Sequence, residues 1–480
     1  MIRQETYYLD TFKVSQDKLE ALVAEALHGG GSYCDLYFEN TRYSSLLLRD
    51  GNVNSGGIHS DYGIGIRTLH GDKTGYAYSE STEWDDMVQA ARAASAIACT
   101  GGCPSTASPS SSARYHGKPN PAADRYPVRT QWSQSPISHF APFLKKIDDN
   151  VRNKDNRIIK LIAILSCQTT DVLMFNSYGE LKYDTRPIWC VSLSAVFRQG
   201  DAIENKNVSK SLRTGSEMLT DELINELTES LVKGIDDRFE AKRPKGGEMC
   251  MVMGAGASGI LLHEAMGHAF EADFNRKGQS IFSDKMGRRI CRKGINIVDD
   301  ATIHGLRGSL NFDDEGVPGQ RTCMVEDGVL TSYLHDRISA GFYGVAPTGN
   351  GRRESFRYMP VPRMRSTYME NGDADPADII SSVKKGIYVD EFANGQVKIG
   401  EGDFTFYVKS GYLIENGHFT MPVKDINIIG NGPQALADIE MVGNDLKIDE
   451  GAWTCGKEQN VPVSCGIPTV LIKKLIVGGN

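Results

Sequence analysis

Residues 254–274, GAGASGILLHEAMGHAFEADF, carry two motifs with incompatible implications. Gly254-x-Gly256-x-x-Gly259 has the spacing of a dinucleotide-binding turn, whereas His263-Glu264 followed by His268 has the residue types of a metal-binding hydrolase helix. The first reading needs a doubly wound parallel sheet. EMCMVM, just upstream, is a plausible strand, and the glycines lie between it and a helix, as that fingerprint requires. No second strand ends in an acidic residue about 20 positions on; Glu271 and Asp273 fall on the same helix or its immediate end. The surrounding chain also lacks strand–helix–strand alternation. The other reading of the glycines is a turn that lets a helix N-terminus approach another backbone closely.

The metal reading has its own difficulty. Imidazole is a common zinc ligand, and a neighbouring glutamate can take a proton from a water that the ion activates. Histidines four apart on an α-helix are offset by about 40° and share a face, but five apart they diverge by about 140°. His263 and His268 are five apart. A π-type turn or a break at Gly267 would swing His268 back beside His263; otherwise the pair are satisfied or exposed helix histidines. Spacing alone leaves both open. A catalytic zinc usually takes three protein ligands. The next histidine is His304, and KMGRRICRKG is basic where many zinc peptidases place a third ligand. Glu271, three residues after His268, is a local rival for that position.

The 480 residues correspond to about three domains' worth of chain. An apolar fraction of 40% and a charged fraction of 24% are ordinary for a water-soluble globular protein, and a net charge of −8 speaks against nucleic acid as a main partner. MIRQETYYLDTFKVSQ lacks an apolar signal core, and apolar runs such as IIKLIAILSC are too short to span a membrane. Ten cysteines without a regular framework suggest free thiols in a reducing cytoplasm. Cys99 and Cys103 read as unlinked thiols rather than a clip.

Patterning predicts an α+β protein, with an N-terminal α/β lobe followed by a strand-rich C-terminal lobe of largely antiparallel sheets. Ser15 caps a helix whose Leu19, Leu22, Val23, Ala26 and Leu27 share a face. Alternating strands follow, turning at Asp50-Gly51 and near Gly71–Gly75, then a helix over 82–98. We divide the chain into 1–105, a Ser/Pro/Gly-rich linker or loop at 106–130, a middle unit at 131–245 and a C-terminal unit at 246–480. The middle unit should contain a helix at 136–153, two strands around Asn176–Gly179 and one long helix over 217–240. Downstream, Asp327-Gly328 and Asn416-Gly417 mark hairpins, and 433–441 a short helix.

Three further clusters invite chemistry. Arg352, Arg353, Arg357, Arg363 and Arg365 could clamp a carboxylate, although structural ion pairs are the simpler reading in a chain with 61 acids. DDEG, 313–316, lacks the alternating ligands of a calcium loop and reads as a turn. His335-Asp336 reads as an exposed strand end rather than a polarised pair.

LLHEAMGHAFEADFNRKG, DDEGVPGQRT, PTGNGRRES, PRMRSTYM, MVGNDLKID and CGKEQNVPVSCGIPT together resemble the metallopeptidase side of the TldD/PmbA (TldD/TldE) family, over about 260–470. The resemblance implies a zinc-dependent peptidase acting on small unfolded peptides. It implies a partner, a PmbA/TldE-like paralogue without the metal motif, with a homodimer as the alternative; charge and apolar run length point to neither nucleic acid nor membrane. It assigns His263, His268 and Cys455 as Zn2+ ligands and Glu264 as general base; Cys465 is a rival thiol. A non-catalytic, metal-bearing subunit that only binds peptides or a partner is the alternative function.

Overall fold

The alternation read in YCDLYFEN runs much further than one short strand. In the computed structural model, which describes residues 3–99, 124–256 and 258–478, β1 (Tyr33–Arg49) pairs antiparallel with β2 (Asn52–His70) along its whole length. Their turn is Asp50-Gly51, both left-handed with φ of 48° and 78°, as a two-residue hairpin turn following the strands' twist requires. β3 (Lys73–Ser79) pairs with β2, and β4 (Ile158–Asn176), β5 (Leu181–Gln199) and β6 (Ala202–Leu212) continue the sheet beyond β1. Strands from both sides of the 106–130 segment therefore share one six-stranded sheet. Most of that segment, and Cys103, lie outside the described residues.

Period-two alternation gives this sheet two different faces. Leu173 and Phe175 of β4 join Leu36 and Phe38 of β1 under α1 (Glu5–Phe12), α2 (Gln16–Leu27) and α3 (Trp84–Ala98). Leu161, Ala163 and Leu165, of the same parity, lie under α4 (Ala141–Lys154) and α5 (Asp221–Val232). Ser15 caps α2 as its sequence implies, accepting from the amide of Lys18. The expected helix over 217–240 is two helices, because Gly234 adopts φ 70° between α5 and α6 (Ile235–Glu240). Likewise, 433–441 splits into a helix, Gly432–Ala437, and a strand, Ile439–Val442.

The opposite parity, Tyr37, Val172 and Met174, meets Phe312 and Phe356 of the C-terminal lobe. Charge dominates this junction. Arg67, fully buried, pairs with Asp35 of its own sheet and at 2.7 Å with Glu315 of the other lobe. Arg353 reaches back to Asp35 at 3.4 Å, and Arg186 pairs with Asp314. DDEG is a turn, with Asp313 Oδ1 accepting from the amides of Glu315 and Val317.

The C-terminal lobe contains two larger sheets. Gly247–Met253, Val470–Gly478, Ile426–Asn431, Asp403–Glu415 and Lys385–Val397 pair in that order, and the last strand pairs with the first, closing a five-stranded ring. The second sheet includes Ile297–Asp300, Ser366–Met369 and Ser464–Ile467. Asp327-Gly328 and Asn416-Gly417 turn their hairpins with positive φ at both residues. His335-Asp336 is not an exposed strand end: both residues are buried, and Asp336 caps the helix Arg337–Tyr343 by accepting from the Ser339 amide. Among the described residues no helix is long and apolar enough to cross a membrane. Arg67→Met should lower unfolding free energy by about 3–5 kcal/mol, because it strands Asp35 and Glu315 as buried charges; urea denaturation followed by circular dichroism measures this.

Candidate metal centre

The glycines at 254–259 serve backbone contact between the two sheets. Gly254 and Gly256 donate their amides to Val389 and Ile467, at 2.9 and 3.0 Å, tying the turn to one strand of each sheet. Gly256 needs its φ of 95°. A Cβ on Gly259 would lie 2.6 Å from the amide nitrogen of Gly466, so the helix begins almost in contact with a strand backbone. This is the close-approach use of the motif.

From Gly259 the helix changes pitch. One α-turn, Gly259–Leu262, is followed by a wide turn over His263–Gly267, in which the amide of His268 donates to the carbonyl of His263. A tight turn, His268–Phe270, follows. An i→i+5 turn gives residues five apart the neighbourhood that residues four apart have in an α-helix. The two rings accordingly lie 5.2 Å apart between centroids, at 82° to one another. The irregularity anticipated from the spacing is present, but Gly267 does not supply a break. Its φ and ψ, −57° and −48°, are ordinary for a helix. It supplies space instead: a Cβ there would lie 2.1 Å from Sδ of the buried Met364.

The third member arrives from far along the chain. Cys455 lies on a hairpin, Thr454–Lys457 paired with Gln459–Pro462, whose single turn residue Glu458 has φ 58°. Its Sγ is 3.4 Å from His268 Nε2, and the ligand-capable atoms of His263, His268 and Cys455 all lie within 4.8 Å of one another. All three residues are buried. Burial opposes ionisation of the Cys455 thiol, but the two imidazoles outweigh it and hold the thiol well below its ordinary value. Two imidazoles and one thiol prone to ionise are a donor set suited to zinc. Nδ1 of His263 is buried without a hydrogen-bond partner among the described residues. These residues fit the ion.

Glu271 stands behind this group rather than in it. Its Oε2 accepts from His268 Nδ1 at 3.0 Å, leaving Nε2 to face Cys455. Lys457 reaches the same oxygen at 3.1 Å and Asp273 at 2.8 Å. Burial pushes the Glu271 carboxyl up, but Lys457 and His268 outweigh it and bring it down to about 2. Cys455 and Lys457, two apart on one strand, share a face, so one strand delivers the thiol and the cation that balances Glu271. Arg363 donates to the Cys455 carbonyl at 2.6 Å and fixes the hairpin.

Glu264, next to His263 on the wide turn, is half-buried. The rival Cys465 is buried on Ser464–Ile467, where burial and the carboxylates of Asp449 and Glu264 push its thiol up. It is not part of the His-His-Cys group. Four arginines of the 352–365 cluster are occupied inside the protein: Arg353 with Asp35, Arg357 with Asp61 and Glu80, Arg363 as above, Arg365 with Asp299 at 2.7 Å. Sequence reasoning missed the roles of Lys457, Arg363 and Met364. For Lys457 the period-two spacing from Cys455 was the available signal; the other two leave none locally.

Gly267→Ala should destabilise the chain by about 1–3 kcal/mol through overpacking, and Met364→Ala in the same chain should recover part of that loss. Denaturation midpoints of the two single variants and the double variant measure this.

Comparison with known proteins identifies the family. The PmbA/TldA metallopeptidase C-terminal domain family matches residues 246–479, and PmbA/TldA metallopeptidase domain 1 matches residues 34–98. A metalloprotease TldD homolog of Haemophilus influenzae is 37% identical over 458 residues, 94% of each chain. A zinc metalloprotease TldD homolog of Saccharolobus solfataricus is 35% identical over 292 residues, 60% of this chain and 64% of that one. The crystal structure of TldE from Thermococcus kodakarensis superposes with a TM-score of 0.73 at 18% identity, covering 96% of this chain and 100% of that chain, a likeness of fold. With a family match across the lobe that holds the His-His-Cys group, and relatives aligned along nearly its whole length, the chain belongs to the TldD/PmbA family of metallopeptidases.

Proposed function

We propose that this metallopeptidase is zinc-dependent and hydrolyses small unfolded peptides, with His263, His268 and Cys455 as the ligands and Glu264 as the general base. The observation that carries the proposal is the buried His-His-Cys group with a glutamate on the same wide turn. The name of the Saccharolobus relative supports zinc. When bound, the ion supplies Lewis-acid polarisation of the scissile carbonyl and of water. Glu264 accepts the attacking water's proton and returns it to the leaving amine. Glu271 holds the Nδ1 proton of His268 and so selects Nε2 as the donor atom; Lys457 keeps Glu271 ionised. Arg363 keeps the Cys455 hairpin closed over the helix.

Extended peptides are the fitting substrate. A lobe built of strands can pair with a peptide main chain without reading its sequence, provided the peptide is unfolded. A paralogous partner, supported by the TldE likeness, or a second copy of the chain completes the assembly. Eight described cysteines, Cys99 aside, are free thiols, which suits the cytoplasm.

Glu264→Gln should retain the metal and lose on the order of 10²–10⁴-fold in turnover, since an amide cannot accept the proton. Metal analysis beside mass-spectrometric peptide digestion tests this; near-normal turnover by the metal-loaded variant overturns the general-base role, whereas no turnover by the metal-loaded unsubstituted chain would favour the non-catalytic subunit. Cys455→Ala should lower zinc occupancy and activity sharply, whereas Cys465→Ala should do neither. Full occupancy in Cys455→Ala, with loss in Glu271→Ala, would move the third ligand to Glu271.

A further inference from the structure

A cleft of about 470 Å³ lies between the lobes. Glu39 and Trp189 of the N-terminal sheet line one side, and Thr454, Val461 and Pro462 of the hairpin line the other. Five arginines line it as well: Arg186, Arg213, Arg307, Arg352 and Arg353. Arg186 and Arg353 are matched by carboxylates, in ion pairs with Asp314 and Asp35.

The remaining three differ. Among the described residues no carboxylate lies within ion-pair distance of Arg213, Arg307 or Arg352, although Arg213 and Arg352 are only 5% and 3% exposed. Residues 100–123 contain neither Asp nor Glu. Their protein partners are neutral oxygens. Arg213 donates to the carbonyls of Arg307 and Pro187, at 2.9 and 3.3 Å. Arg352 donates to those of Met364 and Pro462, at 2.6 and 2.8 Å. Arg307 donates to the Trp453 carbonyl and to the hydroxyls of Ser211 and Thr454. Burial without an acid in contact brings Arg213 down to about 10 and Arg352 to about 9. Buried guanidinium is normally paired with an anion, because desolvating an uncompensated charge is costly.

We propose that this cleft is a carboxylate-recognition site, in which Arg213 and Arg352 receive a carboxylate of a bound peptide. Guanidinium forks match a carboxylate's geometry, and the fixed carbonyl contacts hold both side chains in place before a ligand arrives. Glu39 and Asp314 on the same walls favour a single negative charge over a phosphate. Position links the cleft to the candidate centre. Val461 pairs directly with Cys455, and Arg352 holds the carbonyl of Met364, whose side chain packs against Gly267. Only the peptidic nature of the ligand rests on the peptidase reading; the anion site rests on the arginines.

The test measures binding, not turnover, in the full chain carrying Glu264→Gln. N-terminally fluorescein-labelled penta-alanine is compared as free acid, as C-terminal amide, and as an amide with Asp in the fourth position, by fluorescence anisotropy. The free acid should bind about tenfold or more tightly than the plain amide, the scale of a lost charge-assisted contact. Recovery of affinity by the Asp-containing amide would assign a side-chain carboxylate as well; no recovery would assign the C-terminus alone. Arg213→Gln and Arg352→Gln, each with unchanged far-ultraviolet circular dichroism, should abolish the preference. Should either variant fail to fold, a free-acid peptide bearing benzoylphenylalanine next to its C-terminus, photolysed in the same Glu264→Gln chain, should label residues 186–190 or 452–462. Equal binding of all three peptides, a preference that survives both folded variants, or labelling elsewhere overturns the site. None of these outcomes depends on hydrolysis, so this proposal and the peptidase reading fail separately.

Discussion

One backbone hydrogen bond, from the amide of His268 to the carbonyl of His263, sets the geometry of the candidate centre. An α-helical turn at that point would send the second imidazole away from the first and from Cys455. The wide turn is held from several sides. Gly259 rests on the backbone of Gly466, Met364 fills the space beside Gly267, and Glu271 grips the second imidazole. Such turns are rare in proteins and concentrate at functional sites, where surrounding packing sustains them. Here the packing comes from both sheets of the lobe, so the local irregularity is a property of the whole lobe.

The same lobe meets the N-terminal sheet through charge more than through apolar surface. Tyr37, Val172, Met174, Phe312 and Phe356 form a small apolar contact; around it Arg67 and Arg186 each meet a carboxylate from both lobes, and Arg353 reaches across to Asp35. Buried ion pairs add little net stability over apolar packing but strongly penalise misalignment, because a displaced partner leaves an unpaired charge. A junction of this type fixes the register of the lobes and with it the walls of the arginine-lined cleft.

The sequence made parts of this visible for identifiable reasons. Helix and strand patterning exposed the α+β class, and the five-residue spacing of His263 and His268 conflicted so directly with an α-helix that it called for a distortion. Cys455 came only through family resemblance, since nothing near the histidines points to a residue 187 positions away. Ile235 keeps helical spacing from Leu231, which concealed the break at Gly234. Gly267 suggested backbone freedom, whereas its missing side chain is what matters. His335-Asp336 looked peripheral because burial by a distant segment leaves no local mark. The arginine cluster between 352 and 365 could be counted in the sequence, but which of its members has an acid opposite it depends on contacts across hundreds of residues.

The 187 residues between His268 and Cys455 also impose an order in time. During synthesis the chain passes the wide turn long before it reaches the hairpin, and no segment in between supplies a substitute thiol to the His-His-Cys group among the described residues. A nascent or truncated chain that has made only the helix holds two imidazoles and a glutamate without Cys455. Under the proposed ligand set, a metal site formed with Cys455 is therefore completed only when the lobe's last layer folds over its first.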